Sequence, residues 1–424
     1  MADLLSMSER IIDEGVYEGP QVLNRVIQEL SEVADGVAVV ESFSNVVAFT
    51  TDDGLTLFDT AMDRLAPDAI RALRGWTDDK VHSIIYTHGH FDHAGGCGAF
   101  LADAERRGDP RPRVVAHAAV EDRFHRYNLT SGYNGAINER QFRGGGSSGT
   151  GSPQFFSDWV FPDVTYDQRL GLAVGGLSFE LRHGKGETDD HSWAWFPEQR
   201  AICAGDFFIW VFPNAGNPQK VQRYPIEWAA ALREMAAMDP ELFLPAHGLP
   251  IAGSERIKSV LDNVAGALET IVSQTLELMN DGATLDTIIG EVEVPAELMA
   301  QPYLRPTYDE PEFVVRNLWR GYGGWYDGNP SRLKPAPDAV IAGEVSRLAG
   351  GSDRLAKRAL EVADAGDLRL AAHLVEWAVQ AEPDNAGAHD ARAAVYRERR
   401  SEELSLMAQG VFGAAARESE ARDQ

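Results

Sequence analysis

Polar and apolar positions change their rhythm along the chain, and each change marks a different kind of element. Residues 1–35 read as an N-terminal arm with helical patches. From Gly36 the segment GVAVVESFSNVVAFTTDDGLTLFDT is rich in β-branched residues and broken at Asp52-Asp53-Gly54, which predicts a run of strands with an Asp-Gly turn. LAPDAIRALRGW predicts a helix started by Pro67. VHSIIYTH reads as a short buried strand, and RVVAHAAVEDRF as a strand followed by a helix. Strands return in LGLAVGGLSFELRHG, SWAWFP and RAICAG, then a helix in IEWAAALREMAAM and a strand and loop in ELFLPAHG. This alternation predicts layered α/β architecture. Beyond about Ser254 the apolar residues recur at helical spacing, which sets boundaries at 36–254 for the α/β region and 255–424 for a helical one.

Within the helical region, ALEVADAGD and AVQAEPDNAGAHDARAAVYRE look like tetratricopeptide-style hairpins, too few for a repeat array. A length of 424 residues points to two or three domains. Hydrophobic residues at 44% and charged residues at 25% give the balance of a globular protein. The net charge of −26 repels a phosphate backbone and argues against nucleic acid as a partner. An anionic substrate would need a local positive site, which two divalent metals would supply. Cys97 and Cys203 cannot build a disulfide framework and read as small buried apolar residues. The start MADLLSMSERIIDEG has no secretory pattern, and no stretch reaches the roughly 18 apolar residues of a membrane span. The expected location is cytoplasmic.

The chemistry concentrates in Thr87-His88-Gly89-His90-Phe91-Asp92-His93-Ala94-Gly95-Gly96, directly after a predicted strand. Imidazole nitrogen and carboxylate oxygen are ligands that Zn²⁺ takes. His88 and His90 can point the same way from an extended loop and hold one metal, while Asp92 and His93 face a second. Further ligands must come from later in the chain. His247, in Leu-Pro-Ala-His-Gly after a strand, is a natural late ligand, and Asp206, at a strand end in ICAGDFF, can bridge two metals.

THGHFDHAGG resembles the HxHxDH signature of the metallo-β-lactamase fold, which implies an αββα sandwich over 36–254. That resemblance implies His88 and His90 on the first metal, Asp92, His93 and His247 on the second, Asp206 as the bridge and Asp59 supporting the cluster from behind. Where most members have Gly-His-Thr, this chain has Gly186-Glu187-Thr188. Glu187 is the expected ligand there, with His183 or His191 as substitutes; His191 otherwise matches a histidine that binds no metal. A glutamate at this position is similar to the alkylsulfatase branch. VVRNLWRGYGGWYDGNPSRLKP, residues 314–335, resembles the alkylsulfatase segment that ends in Asp-Gly-Asn-Pro. It places 255–335 as a helical linker contributing to the active site and 336–424 as an all-α dimerisation domain. The bridging residue departs from the usual glutamate of that branch, and the chain looks like a shortened relative.

These resemblances imply a dinuclear zinc hydrolase, with two Zn²⁺ per chain and Asp92 as a catalytic residue, acting on alkyl sulfates or similar small esters as a homodimer. Other hydrolases of the fold (a lactonase, thioesterase or phosphodiesterase) and an inactive interaction protein are the alternatives. Sulfate offers only acceptors, so donors should line its site: Tyr133, Asn134, Asn138, Arg140 and Arg143 in one stretch, and Arg316, Asn317, Arg320, Tyr322 and Tyr326 in another. Phe207, Phe208, Trp210 and Phe212 suit either an apolar tail-binding wall or the core. Arg143–Pro153, RGGGSSGTGSP, reads as a surface connection or a mobile cover.

Overall fold

The computed structural model describes residues 2–15, 24–142 and 155–423. The Gly/Ser stretch from Arg143 to Pro153, Arg143 included, lies outside the described residues. The chain divides into two compact units. The first comprises residues 1–131, 155–281 and 288–322, and the second 132–154, 282–287 and 323–424.

Thirteen described strands build the first unit. They are β1 (Leu30–Ala34), β2 (Val37–Val40), β3 (Val46–Thr51), β4 (Gly54–Phe58), β5 (Val81–Ile85), β6 (Arg113–His117), β7 (Val164–Tyr166), β8 (Arg169–Val174), β9 (Leu177–His183), β10 (Ser192–Phe196), β11 (Ala201–Gly205), β12 (Leu242–Pro245) and β13 (Ile251–Ala252). One sheet runs in the order β1 to β7; the other runs β13-β12-β11-β10-β9-β8. The first sheet begins at Leu30, ahead of Gly36, because β1 pairs antiparallel with β2.

The period-two alternation of β3 and β4 shows why the sheets stack. Val46, Ala48, Leu55 and Leu57 face outward into a core shared with Ala69, Ile70, Phe100 and Phe124 of the covering helices. Their neighbours Phe49 and Phe58 face the second sheet, where Phe49 stacks on Phe196 at 4.2 Å and Phe58 meets Phe179 edge-on at 5.8 Å. The second sheet is covered by the helices Pro225–Ala237 and Ser254–Asn280. The result is an αββα sandwich, as the motif implied.

The second unit is helical. Helices Asp338–Ala349, Ser352–Asp364, Leu368–Ala381, Ala386–Glu402 and Leu406–Glu420 pack around Leu355, Ala359, Val362, Leu368, Val375 and Val395. Asp367, Asn385 and Ser405 start three of them, each side chain accepting from a backbone N–H in the first turn. Asp327-Gly328-Asn329-Pro330 forms a turn, with Gly328 at φ +93 and Asn329 accepting from Ser331 N–H. Among the described residues no helix is long and apolar enough to cross a membrane. Both cysteines are buried.

Candidate metal centre

Five loops at the ends of strands converge. Asp59 follows β4, the His88–His93 run follows β5, Glu187 lies between β9 and β10, Asp206 follows β11 and His247 follows β12. Their ligand atoms fall into two groups, His88, His90, Glu187 and Asp206 in one and Asp92, His93 and His247 in the other. The atoms of each group lie within 4.8 Å of one another. Asp206 reaches both groups. Its Oδ2 stands 3.8 Å from His88 Nε2 and 3.4 Å from His93 Nε2, and its Oδ1 stands 3.4 Å from His247 Nε2. Asp92 Oδ2 lies 3.5 Å from His93 Nε2 and 3.4 Å from His247 Nε2, and Glu187 Oε1 lies 3.7 Å from His90 Nδ1.

The donor set fits divalent metals on two counts. Imidazoles and carboxylates interleave at borderline-to-hard ligand composition. In addition, His93 Nε2 and Asp206 Oδ1 are buried and make no hydrogen bond, which a buried polar atom tolerates poorly unless something else coordinates it. Electrostatics agree. Burial opposes the charged forms of His93 and His247, but the facing carboxylates, Asp206 foremost, outweigh it and raise both, His247 to about 10. Burial lowers His88 and His90, followed by the neighbouring histidines for His88 and by Arg223 and Arg123 for His90. Glu187 is pushed up to about 8 by burial despite Arg223 beside it. A cluster of buried carboxylates held this close is one that cations stabilise.

The surrounding shell orients these groups. Asp59 Oδ1 accepts from Thr87 N–H at 2.8 Å, and its Oδ2 lies 2.8 Å from Thr87 Oγ1 and 2.7 Å from His93 Nδ1. A carboxylate only accepts, so Nδ1 carries a proton, and Nε2, inside the cluster, is the nitrogen whose lone pair a metal would take in place of a proton. Asp59 does this from a left-handed backbone, φ +60. His191 Nε2 accepts from Asp206 N–H at 3.0 Å, outside both ligand groups. Gly205 (φ +55) precedes that contact, where a Cβ would stand 2.7 Å from His191 Nε2 and 2.8 Å from Thr87 Cβ; only glycine lets Asp206 leave β11 so close to both loops. His183 turns away from the cluster. It stacks on His117 with ring centroids 3.9 Å apart.

Several residues of the shell are not foreshadowed by any motif. Asn45 donates through Nδ2 to Pro245 O and Gly248 O, at 3.2 and 2.8 Å, and so pins the loop carrying His247. Ser44 Oγ lies 3.0 Å from His93 Nδ1. Arg223, 2% exposed, pairs with Glu187 Oε1 at 3.3 Å and donates to Glu187 O. Asn214 donates to Glu187 Oε1. Burial, reinforced by Arg223, lowers the Lys220 ammonium to about 8. A lone Arg or Asn in a loop carries no signal of this kind in sequence.

The expected substrate residues distribute unevenly. Asn317 is buried and exchanges hydrogen bonds with the Arg223 backbone, its Oδ1 accepting from Arg223 N–H at 3.2 Å and its Nδ2 donating to Arg223 O at 3.0 Å. Arg320 Nη2 donates to Asn317 Oδ1 at 3.4 Å. Arg316 forms a surface pair with Glu312, and Tyr322 is 58% exposed. Tyr133, Asn134, Asn138, Arg140 and Tyr326 belong to the second unit. Phe207, Phe208, Trp210 and Phe212 are at most 2% exposed; they fill the core and leave no face for a substrate tail.

The metallo-β-lactamase superfamily profile matches residues 39–247, and that of alkyl sulfatase dimerisation matches 284–422. A linear primary-alkylsulfatase of Pseudomonas sp. (strain ATCC 19151) is 27% identical over 365 residues, 81% of this chain and 68% of the relative. An (R)-specific secondary-alkylsulfatase of Pseudomonas sp. is 26% identical over 374 residues, 82% of this chain and 55% of the relative. The solved stereoselective inverting sec-alkylsulfatase Pisa1 from Pseudomonas sp. superposes with a TM-score of 0.81 at 22% identity, covering 93% of this chain and 66% of that one. This chain therefore spans between about half and two-thirds of the relatives' length. By these matches the chain carries a metallo-β-lactamase superfamily domain and an alkyl sulfatase dimerisation domain, and over most of its length it is similar to alkylsulfatases.

Proposed function

We propose that the chain is a dinuclear zinc hydrolase of alkyl sulfate esters or similar small esters, working as a homodimer in the cytoplasm. The observation that carries this reading is Asp206, whose two carboxylate oxygens face the histidines of both ligand groups at 3.4–3.8 Å. His88, His90 and Glu187 would hold the first zinc and Asp92, His93 and His247 the second, with Asp206 shared. Bound zinc ions would supply a hydroxide near neutral pH and neutralise charge that develops on an oxyanion.

The chain's own residues supply the rest. Asp92 is the most open carboxylate of the cluster, its side chain 21% exposed against 5% for Glu187 and Asp206. We assign it to orient the attacking water by accepting its hydrogen bond. Asp59, Thr87 and Ser44 fix the His93 ring. Arg223 presents an Nε with no hydrogen-bond partner from the shell behind Glu187. Its positive charge, held beside the first ligand group by Glu187, would favour an anionic head group there.

The test is sulfate release from a medium-chain alkyl sulfate, using chelator-stripped protein with and without added zinc. Zinc-dependent release is expected. Two zincs bound per chain with no sulfate released would overturn the substrate class and keep the metal centre; no zinc bound would overturn both.

A further inference from the structure

Two loops carry the proposed ligands of the first metal. His88 and His90 follow β5, and Glu187 lies between β9 and β10. One buried ion pair joins the two loops. Asp190, 0% exposed, accepts the backbone N–H of Gly89 on Oδ2 at 2.9 Å. Its Oδ1 lies 2.9 Å from Arg123 Nε. Arg123 rises from the helix Ala119–Leu129, is 2% exposed and also pairs with the more open Asp189. The fit around Gly89 is tight: a Cβ there would stand 2.9 Å from both Arg123 Cδ and Asp190 Oδ2, and 3.3 Å from Phe124 Cε1. Arg123, Asp190 and Gly89 belong to neither ligand group.

An ion pair this buried is a costly way to fill space, because desolvating both charges offsets most of their attraction. Its geometry gives it another use. Gly89 is the peptide between His88 and His90, whose facing nitrogens are 2.8 Å apart, and Asp190 stands three residues beyond Glu187. The second ligand group is braced from elsewhere, by Asp59, Ser44 and the Phe43 carbonyl. Burial works against the Asp190 carboxylate, but Arg123 more than compensates and holds it below the ordinary carboxylate value, so the pair persists as ions.

We propose that the Arg123–Asp190 pair is a positioning device, which fixes the His88-Gly89-His90 turn against Glu187 and thereby sets the affinity of the first metal site separately from the second. The proposal rests on the two-zinc reading above.

In Asp190→Asn the side-chain amide must turn a donor toward either Arg123 Nε or Gly89 N–H, so one contact is lost. The experiment is zinc competition against a chromophoric chelator on the full-length protein, with thermal unfolding of the chelator-treated protein as a control on folding. Wild type is expected to show two binding steps. Asp190→Asn should weaken the step that Glu187→Ala abolishes by roughly 10–100-fold, the usual effect of losing an outer-shell partner. The other step should shift by a clearly smaller factor, because its ligands keep their braces from Asp59, Ser44 and the Phe43 carbonyl and are linked to the first site through Asp206 alone. Asp189→Asn removes the same charge from Arg123 without touching Gly89, and should leave both steps within about twofold. Arg123→Lys, which keeps the charge and loses the fork, should weaken the same step as Asp190→Asn and serves if that variant does not fold. Wild type without bound zinc would defeat the two-zinc reading itself. Two zincs in wild type, with both steps shifted equally in Asp190→Asn, neither shifted, or Asp189→Asn as damaging as Asp190→Asn, would overturn the positioning role alone.

Discussion

Asp59→Asn separates the charge of the supporting carboxylate from its shape. Asparagine accepts left-handed backbone readily, so φ +60 at this position is kept and the backbone is not the variable. Oδ1 still accepts from Thr87 N–H, now 2.8 Å away. The other oxygen becomes an NH₂ group where a carboxylate oxygen stood 2.7 Å from His93 Nδ1 and 2.8 Å from Thr87 Oγ1. Thr87 can rotate its hydroxyl to accept. His93 has no such freedom: to face an NH₂ donor, Nδ1 must give up its proton, which moves the hydrogen to Nε2 and removes the lone pair aimed at the second metal. The loss of one hydrogen bond to a charged acceptor is worth about 1.5–3 kcal/mol. Outer-shell substitutions weaken metal binding about 10–100-fold, or roughly 1.4–2.8 kcal/mol, and the two routes agree. Ser44 Oγ, 3.0 Å from Nδ1, can recover part of this by accepting, which favours the lower end. Zinc competition should show one weakened step, the one lost in His247→Ala, and excess zinc should restore turnover without restoring affinity. Wild-type affinity at both steps in Asp59→Asn would refute the claim that Asp59 sets the His93 tautomer.

Three further outcomes follow from the same geometry. Arg223→Met should lower kcat/KM for an alkyl sulfate by roughly a hundredfold, about 3 kcal/mol, chiefly through KM. An unchanged KM in steady-state kinetics would remove Arg223 from sulfate binding. For the stacked pair His117 and His183, burial is the leading cause that lowers both below the usual 6.5. The folded pKa therefore lies under the unfolded one, so this contribution to stability is complete above pH 6.5 and is lost as pH falls toward the folded values. His183→Phe keeps a stacked ring without the charge, and its thermal midpoint should fall less between pH 7 and 5 than that of wild type; parallel curves would contradict this. Light scattering at micromolar concentration should give twice the 46.4 kDa chain mass, and a monomer would refute the homodimer.

What the sequence disclosed and what it hid follow one physical division. Groups that must be close in space and happen to be close in sequence leave a legible spacing: His88, His90, Asp92 and His93 fall within six residues because one loop after β5 feeds both ligand groups. Strand ends were legible too, since Asp206 and His247 each follow an apolar run. Hydrophobic patterning alone left Phe207, Phe208, Trp210 and Phe212 open between tail-binding wall and core, because a buried aromatic and a pocket-lining one obey the same pattern; only the fold, which covers all four, decides it. The shell residues are hidden for a different reason. Asn45 reaches Gly248 across 203 positions and Asp190 reaches Gly89 across 101, so no local pattern can announce them, and an isolated Asn or Asp in a loop is most often a turn residue. Gly89 is the instructive case. In sequence it is a spacer between two histidines. In the structure it is the point where a buried ion pair touches the backbone, too near for any side chain. A motif therefore records which atoms meet the metal, while the residues that decide how well they meet it are distributed along the chain by the fold, and their roles must be tested by metal affinity rather than by the presence of the motif.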